Sequence, residues 1–103
     1  MGILLFLNLF IWRIDLLLVE VLVPDNGRRL FVSVEENTHI EAILRRICKV
    51  VEPRGISAMN EYGFMNVDVM RAISIDMTVK EAGLVNGSRL LLVREESMIR
   101  NVL

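Results

Sequence analysis

The sequence is poor in the residues that catalysis and metal binding require. Its 103 residues include a single cysteine, Cys48, and a single histidine, His39. One cysteine excludes an intrachain disulfide and a cysteine-based metal cluster. A catalytic thiol also needs a base, and neither residue is part of a cysteine or histidine motif. Glycine-rich phosphate-binding motifs are absent as well. We therefore predict a protein that is not an enzyme, with no catalytic residues, no metal ligands and no cofactor.

The chain also lacks an excess of charge of one sign. It has 12 basic and 13 acidic residues and a formal net charge of -1. This balance gives no bulk attraction for nucleic acid or for an anionic membrane. We expect a protein partner and no nucleic acid. The sparse use of cysteine fits a reducing compartment, so we expect a cytoplasmic protein.

An uncharged apolar stretch lies at the start of the sequence, in residues 1–12. A membrane-spanning helix needs about 20 apolar residues, and Arg13 and Asp15 interrupt the run earlier. The basic region and cleavage site of a signal peptide are not visible. We expect residues 1–13 to form an apolar arm or an extra strand that packs on its own fold or on a second copy. Homo-oligomerisation through residues 1–12 is one alternative, and membrane contact is the less favoured one.

The next residues predict a β-hairpin. Residues 14–23 are rich in leucine and valine, and residues 24–28 carry a strong turn signal. Within that turn, we expect Asn26 and Gly27 to supply the positive φ angles of a tight hairpin. The strand that follows alternates apolar and polar side chains, with Leu30, Val32 and Val34 on one face.

A long helix is predicted after this hairpin. Thr38 and Glu41 have the spacing of a capping box, which begins a helix, and Pro53 and Gly55 end it. The apolar residues recur at helical spacing and define one stripe, which comprises Ile40, Ile43, Leu44, Ile47, Val50 and Val51.

Short strands are expected next, one around Tyr62 and Phe64 and another within residues 70–75. A second capping box, Thr78 with Glu81, then predicts a single helical turn.

A glycine stop, a tight turn and a closing strand complete the pattern. Gly83 suits the left-handed position that ends a helix. Asn86 and Gly87 predict a tight turn, and residues 89–93 form an apolar strand. Together these elements are compact only as a mixed sheet with the helix packed on one face. We predict an α+β fold of four to five strands, with the last strand parallel to the first at the sheet centre, because both are continuously apolar.

The pattern resembles the ubiquitin-like β-grasp superfamily over residues 14–94, and we expect the domain to comprise residues 14–96. The resemblance rests on the hairpin with Gly27 in its turn, the helix led by Thr38, and the cap, turn and strand of residues 78–90. It implies a β-grasp fold and a non-catalytic protein-binding role in an adaptor or regulatory protein. Ras-association domains share the topology and are an alternative. Residues 97–103 are expected to be a tail without the Gly-Gly pair of conjugated relatives, so conjugation to lysine is not expected.

One candidate binding surface is the outer face of the sheet. If Leu90 and Leu92 face the helix, alternation places Leu91 and Val93 on the opposite face. Phe31 alternates with its buried neighbours in the same way. Contiguous apolar side chains on an exposed sheet face are typical of an interface, and the resemblance implies that this face binds partners. The apolar arm is an alternative cover for it, within the chain or across a dimer.

A second candidate surface is basic. Arg28 and Arg29 lie at the hairpin, and Arg45, Arg46 and Lys49 lie on the polar side of the helix. The resemblance to Ras-association domains implies that such residues meet the acidic edge of a small GTPase. The plainer alternative is a solvated helix face, balanced by pairing of an acidic residue one turn away.

Overall fold

The computed structural model describes residues 16–95, which form a five-stranded mixed sheet with one long helix on one face. Its elements are β1 (Leu16–Val23), β2 (Arg28–Glu35), α1 (Ile40–Val51), a 3-10 helix (Gly55–Glu61), β3 (Tyr62–Asn66), β4 (Arg71–Ile73) and β5 (Arg89–Arg94). The strand order is β2-β1-β5-β3-β4. The β1–β5 pair is parallel and the other pairs are antiparallel. The predicted architecture is confirmed, whereas the predicted arm and tail lie outside the described residues.

The hydrophobic core fills the space between α1 and the inner sheet face. Its members come from every strand and from the helix, and Phe64 of β3, the strand next to the central strand β5, is fully buried. Cys48 also lies in this core, with none of its surface exposed. By contrast, Val50 is 57% exposed, so its prediction as part of the buried stripe was wrong. The buried stripe of α1 is rotated so that Cys48, rather than Val50, forms its margin.

The hairpin turn differs from prediction in one detail. Gly27 has φ +68, as expected, but Asn26 does not adopt a positive φ angle. The connection has four residues, 24–27, between the paired ends of the strands, so only its last position is left-handed. Asn26 instead uses its side chain, whose Oδ1 accepts a hydrogen bond from the Arg28 amide at 2.9 Å.

The start of α1 is capped by distant backbone, not by the predicted capping box. The amide of Ile40 donates to the Met77 carbonyl at 2.8 Å, and the amide of Glu41 donates to the Ile75 carbonyl at 3.1 Å. Thr38 lies before the N-cap residue, and its Oγ1 accepts instead from the Glu35 amide at 3.3 Å. Sequence spacing could not reveal this, because the acceptors come from a segment more than thirty residues away.

The second capping box is confirmed. The amide of Glu81 donates to Thr78 Oγ1, and the amide of Thr78 donates to Glu81 Oε1, both at 3.1 Å. Gly83 follows with φ +72 and ends the turn. Leu84 then folds back into the core, and its amide donates to the Val79 carbonyl at 3.1 Å. This segment fixes the position from which β5 enters the centre of the sheet.

Candidate functional site: the outer sheet face

A row of apolar side chains crosses the middle of the outer sheet face. The strand register places Leu22 of β1 beside Leu91 of β5, and Leu91 beside Met65 of β3. Ala72 of β4 continues the row next to Met65. Leu22, Leu91 and Met65 are each half-buried, whereas Ala72 is exposed. Four neighbouring strands therefore present one continuous apolar row away from the helix.

The three predicted sheet-face residues lie on this outer side. Leu90 and Leu92 are buried against the core, and Leu91 and Val93 alternate with them and are half-buried on the opposite face. Phe31 of β2 is 59% exposed. Its neighbour on the diagonal is Leu22, because Leu22 pairs with Arg29, two residues before Phe31. Leu22 therefore connects Phe31 to Leu91 across the sheet.

Leu22 and Met65 belong to the row but were not predicted from the sequence. Leu22 could have been found from alternation, because a strand that is apolar at every position must present apolar residues on its outer face. Met65 required the register of β3 against β5, which places it opposite Leu91. No local pattern contains that information.

Two ion pairs form a charged belt beside the apolar row. Glu20 of β1 pairs with Arg29 of β2 on the outer face. The next residue across the sheet is Arg89 of β5, the register partner of Glu20. Arg89 donates to Asp68 Oδ1 from Nη2 at 2.9 Å and from Nε at 3.1 Å. These bonds from Arg89 hold the pKa of Asp68 below its ordinary value.

A second apolar region lies on the other side of this belt. Leu16 and Leu18 belong to the first half of β1 and are 52% and 46% exposed. Both are on the outer face, because Leu17 and Val19 alternate with them toward the core. Phe31 is the diagonal neighbour of Leu18. We name Leu16, Leu18 and Phe31 the strand-start patch.

The structure divides the predicted basic residues between two faces. Arg29 lies on the outer sheet face with Glu20, whereas Arg45, Arg46 and Lys49 are exposed on α1, which covers the inner face. Arg45 pairs with Glu41 one helical turn away, at 3.4 Å. Arg46 Nη1 donates to the Ser33 carbonyl at 3.4 Å, which ties the helix to the edge of β2. Alternation along β2 is the reason that Arg29 points away from the helix residues.

The edge of β2 is open over a short stretch. Leu18 uses its own backbone groups toward β5, where its amide donates to Asn86 Oδ1 and its carbonyl accepts from Gly87. In an antiparallel pair, residues that bond to the neighbouring strand alternate with residues whose backbone groups point away from it. Because Leu18 bonds toward β5, its register partner Ser33 directs its backbone groups away from β1. The same holds for Phe31 and Arg29, which lie two and four residues before Ser33. The Ser33 carbonyl accepts a hydrogen bond from Arg46. The backbone groups of Phe31 and Arg29 remain available at this edge among the described residues.

Neither Cys48 nor His39 has a reactive setting. Burial, with the Glu52 charge as a smaller cause, raises the pKa of the Cys48 thiol, which is the opposite of what a reactive thiol requires. His39 is the exposed N-cap residue of α1. Residues 16–95 contain no group of three or more metal-ligating side chains. In the same range, no helix is long and apolar enough to cross a membrane.

A cluster of polar side chains holds the other end of α1. Tyr62 Oη donates to Glu52 Oε2 at 2.6 Å, and Arg54 Nε donates to Glu52 Oε1 at 3.0 Å. Arg54 Nη1 also donates to Glu61 Oε2 at 2.7 Å. The hydrogen bonds from Tyr62 and Arg54 lower the pKa of Glu52 to about 2. The cluster joins the helix end to the 3-10 helix and to β3, and we assign it a structural role.

The likeness to known proteins lies in the fold. No model of a protein family matches the sequence, and no curated protein matches it. Among solved structures, ubiquitin from Caldiarchaeum subterraneum superposes with a TM-score of 0.65 at 16% identity, over 79% of this chain and 95% of that chain. A ubiquitin-like domain of an Arabidopsis thaliana protein gives 0.66 at 13% identity, over 81% of both chains. The N-terminal ubiquitin-like domain of the 4931431F19Rik protein gives 0.64 at 13% identity, over 80% of this chain and 77% of that chain.

These superpositions define the class of fold. The chain has the ubiquitin-like β-grasp fold, as the sequence pattern predicted.

Proposed function

We propose that this ubiquitin-like domain is a non-catalytic protein-binding module of an adaptor or regulatory protein, and that its partner binds the outer sheet face. The observation that carries the proposal is the apolar row formed by Leu22, Leu91 and Met65 on neighbouring strands. Val93 and Phe31 extend this surface along β5 and toward the β2 edge.

The composition of this face suits a protein partner. Apolar side chains in water are unfavourable by roughly 25 cal/mol for each Å² that a partner could cover, and contiguous patches of this kind are typical of interfaces. The belt of Glu20, Arg29, Arg89 and Asp68 supplies charges of both signs at its side. Such charges set the orientation and rate of encounter more than the affinity. An apolar centre with a charged margin is the usual arrangement of an interface.

The experiment is an affinity capture with quantitative mass spectrometry. The bait is the full chain, and the test variant combines Leu91→Asp with Phe31→Asp. Val69→Asp is the matched control, because Val69 is equally exposed at 59% but lies in the β3–β4 turn at the far edge of the sheet. The proposal predicts that proteins enriched by the wild type and by the control are lost with the double variant. Equal capture by a folded double variant would refute it.

A second candidate function is favoured by the open edge of β2. The backbone groups of Arg29 and Phe31, which have no partner within residues 16–95, could pair with an added strand. Arg28 lies at the start of the same strand, and Arg46 lies beside it on the helix. A strand flanked by acidic side chains, such as the acidic edge of a small GTPase, would match both features.

The two candidates respond differently to salt and to charge reversal. Binding at the basic edge should weaken as salt increases, and it should weaken further with Arg28→Glu or Arg46→Glu. Binding at the apolar row should tolerate salt and depend on Leu91. A captured partner whose binding is insensitive to salt and to both arginine substitutions would exclude the basic-edge candidate.

A further inference from the structure

The strand-start patch is the largest group of exposed apolar side chains along β1 and β2. Leu16, Leu18 and Phe31 are each about half exposed or more, at 52%, 46% and 59%. Along β1, Glu20 and its ion pair with Arg29 lie between Leu18 and Leu22, the β1 member of the central apolar row. Leu16 and Leu18 therefore offer an apolar surface that lies outside the central row, and Phe31 borders both.

We propose that residues 1–12 of this same chain dock on the strand-start patch. The segment carries no charge and contains ten apolar side chains, the exceptions being Gly2 and Asn8. Arg13 and Asp15 mark its end and lie just before β1, so the change from apolar to charged sequence coincides with the point where the patch begins.

The length of the segment matches the length of the patch. Phe31 pairs with Glu20, four residues further along β1 than Leu16 and one strand across, so the patch spans about 14 Å between these two residues. Residues 13–15 can extend over about 10 Å, which is enough to reverse the chain direction. Twelve residues cover about 18 Å as a helix. The segment is therefore long enough to cover the patch from one end to the other.

Covalent attachment gives residues 1–12 an advantage over a free competitor. A segment joined to its site by a short linker acts at an effective concentration on the order of millimolar. A second copy of the chain or a separate apolar ligand would have to reach such concentrations to displace it. Attachment at Leu16, a member of the patch itself, thus favours the chain's own segment over any free occupant.

Docking would have a consequence for the face as a whole. Phe31 belongs both to the strand-start patch and to the surface proposed for the partner, so the docked segment would cover one part of that surface and leave Leu91 and Val93 accessible. This consequence rests on the proposed function, whereas the docking itself does not.

The experiment uses Trp12, the single tryptophan of the chain, as a reporter. Its fluorescence emission is recorded for the full chain over a wide range of protein concentration, with the molecular mass in solution measured on the same samples. The test variant combines Leu18→Asp with Phe31→Asp, and a milder one combines Leu18→Ser with Phe31→Ser. Val69→Asp is again the control. Circular dichroism is recorded to check that each variant is folded.

The inference predicts short-wavelength emission that is independent of concentration in a monomer. Both double variants should shift it to the wavelength of a solvated indole, and the control should not. Long-wavelength emission in the wild type, or emission that the folded double variants leave unchanged, would overturn the inference. Short-wavelength emission that appears only as a dimer forms would show that the segment docks on a second copy instead. Short-wavelength emission that appears only when phosphatidylcholine vesicles are added would show that the segment binds a membrane instead. If Trp12 behaves as predicted while partner capture ignores Leu91 and Phe31, the proposed function fails and the docking stands.

Discussion

Asn86 Oδ1 accepts a hydrogen bond from the backbone amide of Leu18 at 2.8 Å, across 68 residues of sequence. The carbonyl of Leu18 accepts in turn from the Gly87 amide at 2.7 Å. A side chain and an amide of the last turn thus extend the parallel pairing of β1 with β5 ahead of the first residue of β5. This contact sets how far β1 is paired, and therefore where its outer-face residues lie relative to Leu91.

Replacing Asn86 tests the importance of that contact. Asn86→Ala removes the acceptor for the Leu18 amide and should lower the free energy of unfolding by about 1 kcal/mol. Asn86→Asp keeps both the acceptor and a good turn residue, so it should recover most of the loss. Urea denaturation at neutral pH measures both. Equal destabilisation by alanine and aspartate would show that the acceptor contributes nothing.

The reciprocal cap before β5 gives a second prediction. Thr78→Ala removes the oxygen that accepts from the Glu81 amide and should cost about 1 kcal/mol of unfolding free energy. Thr78→Ser retains a hydroxyl at the same place and should cost much less. Thermal or urea unfolding of the pair of variants provides the measurement. A serine variant as unstable as the alanine variant would contradict the capping role.

The alternation of β5 gives a third prediction, because the candidate site depends on it. Leu90 is fully buried, so Leu90→Ala should cost about 3 kcal/mol. Leu91 is half-buried on the outer face, and Leu91→Ala should cost considerably less. Urea midpoints of the two variants can be compared directly. If Leu91→Ala were as destabilising as Leu90→Ala, Leu91 would belong to the core and not to a binding surface.

Glu52 gives a prediction about pH. Its pKa in the folded protein is about 2, against an ordinary value of 4.5. Folding therefore favours the ionised carboxylate, so the stabilisation is fully present above about pH 4.5 and is lost as pH falls toward 2. Glu52→Gln should be less stable than the wild type at neutral pH, and the difference should shrink over that window.

Urea midpoints measured at a series of pH values provide the test. Tyr62→Phe removes the hydrogen bond that contributes most to lowering the Glu52 pKa. Glu52→Gln should therefore lower the free energy of unfolding by less in the Tyr62→Phe variant than in the wild type. A difference between wild type and Glu52→Gln that is the same at all pH values would disprove the assignment.

Local patterns predicted most of the fold. The Asn86-Gly87 turn, the Thr78–Glu81 cap and the apolar runs of β1 and β5 each depend on neighbouring residues, and their prediction is confirmed. The prediction of a Thr38–Glu41 cap was wrong, because the first amides of α1 donate hydrogen bonds to the backbone carbonyls of Ile75 and Met77 instead. Local spacing cannot show that a distant segment has taken the place of a side-chain cap.

The candidate site was predicted less completely than the fold. Alternation along one strand was enough to place Leu91 and Val93 on the outer face. Met65 and the Glu20–Arg29 pair depend on how strands are registered against one another, and a shift of one residue would move each to the other face. The 3-10 helix Gly55–Glu61 has no apolar periodicity that would distinguish it from a loop.

We propose that a protein partner binds the outer sheet face. The most direct measurement is an NMR titration of the isotope-labelled chain with a partner identified by the affinity capture. We expect the amide signals of Leu22, Met65, Leu91 and Val93 to shift on binding, and those on the exposed side of α1 to stay unchanged. Shifts confined to Arg45, Arg46 and Lys49, with the outer face unchanged, would contradict it.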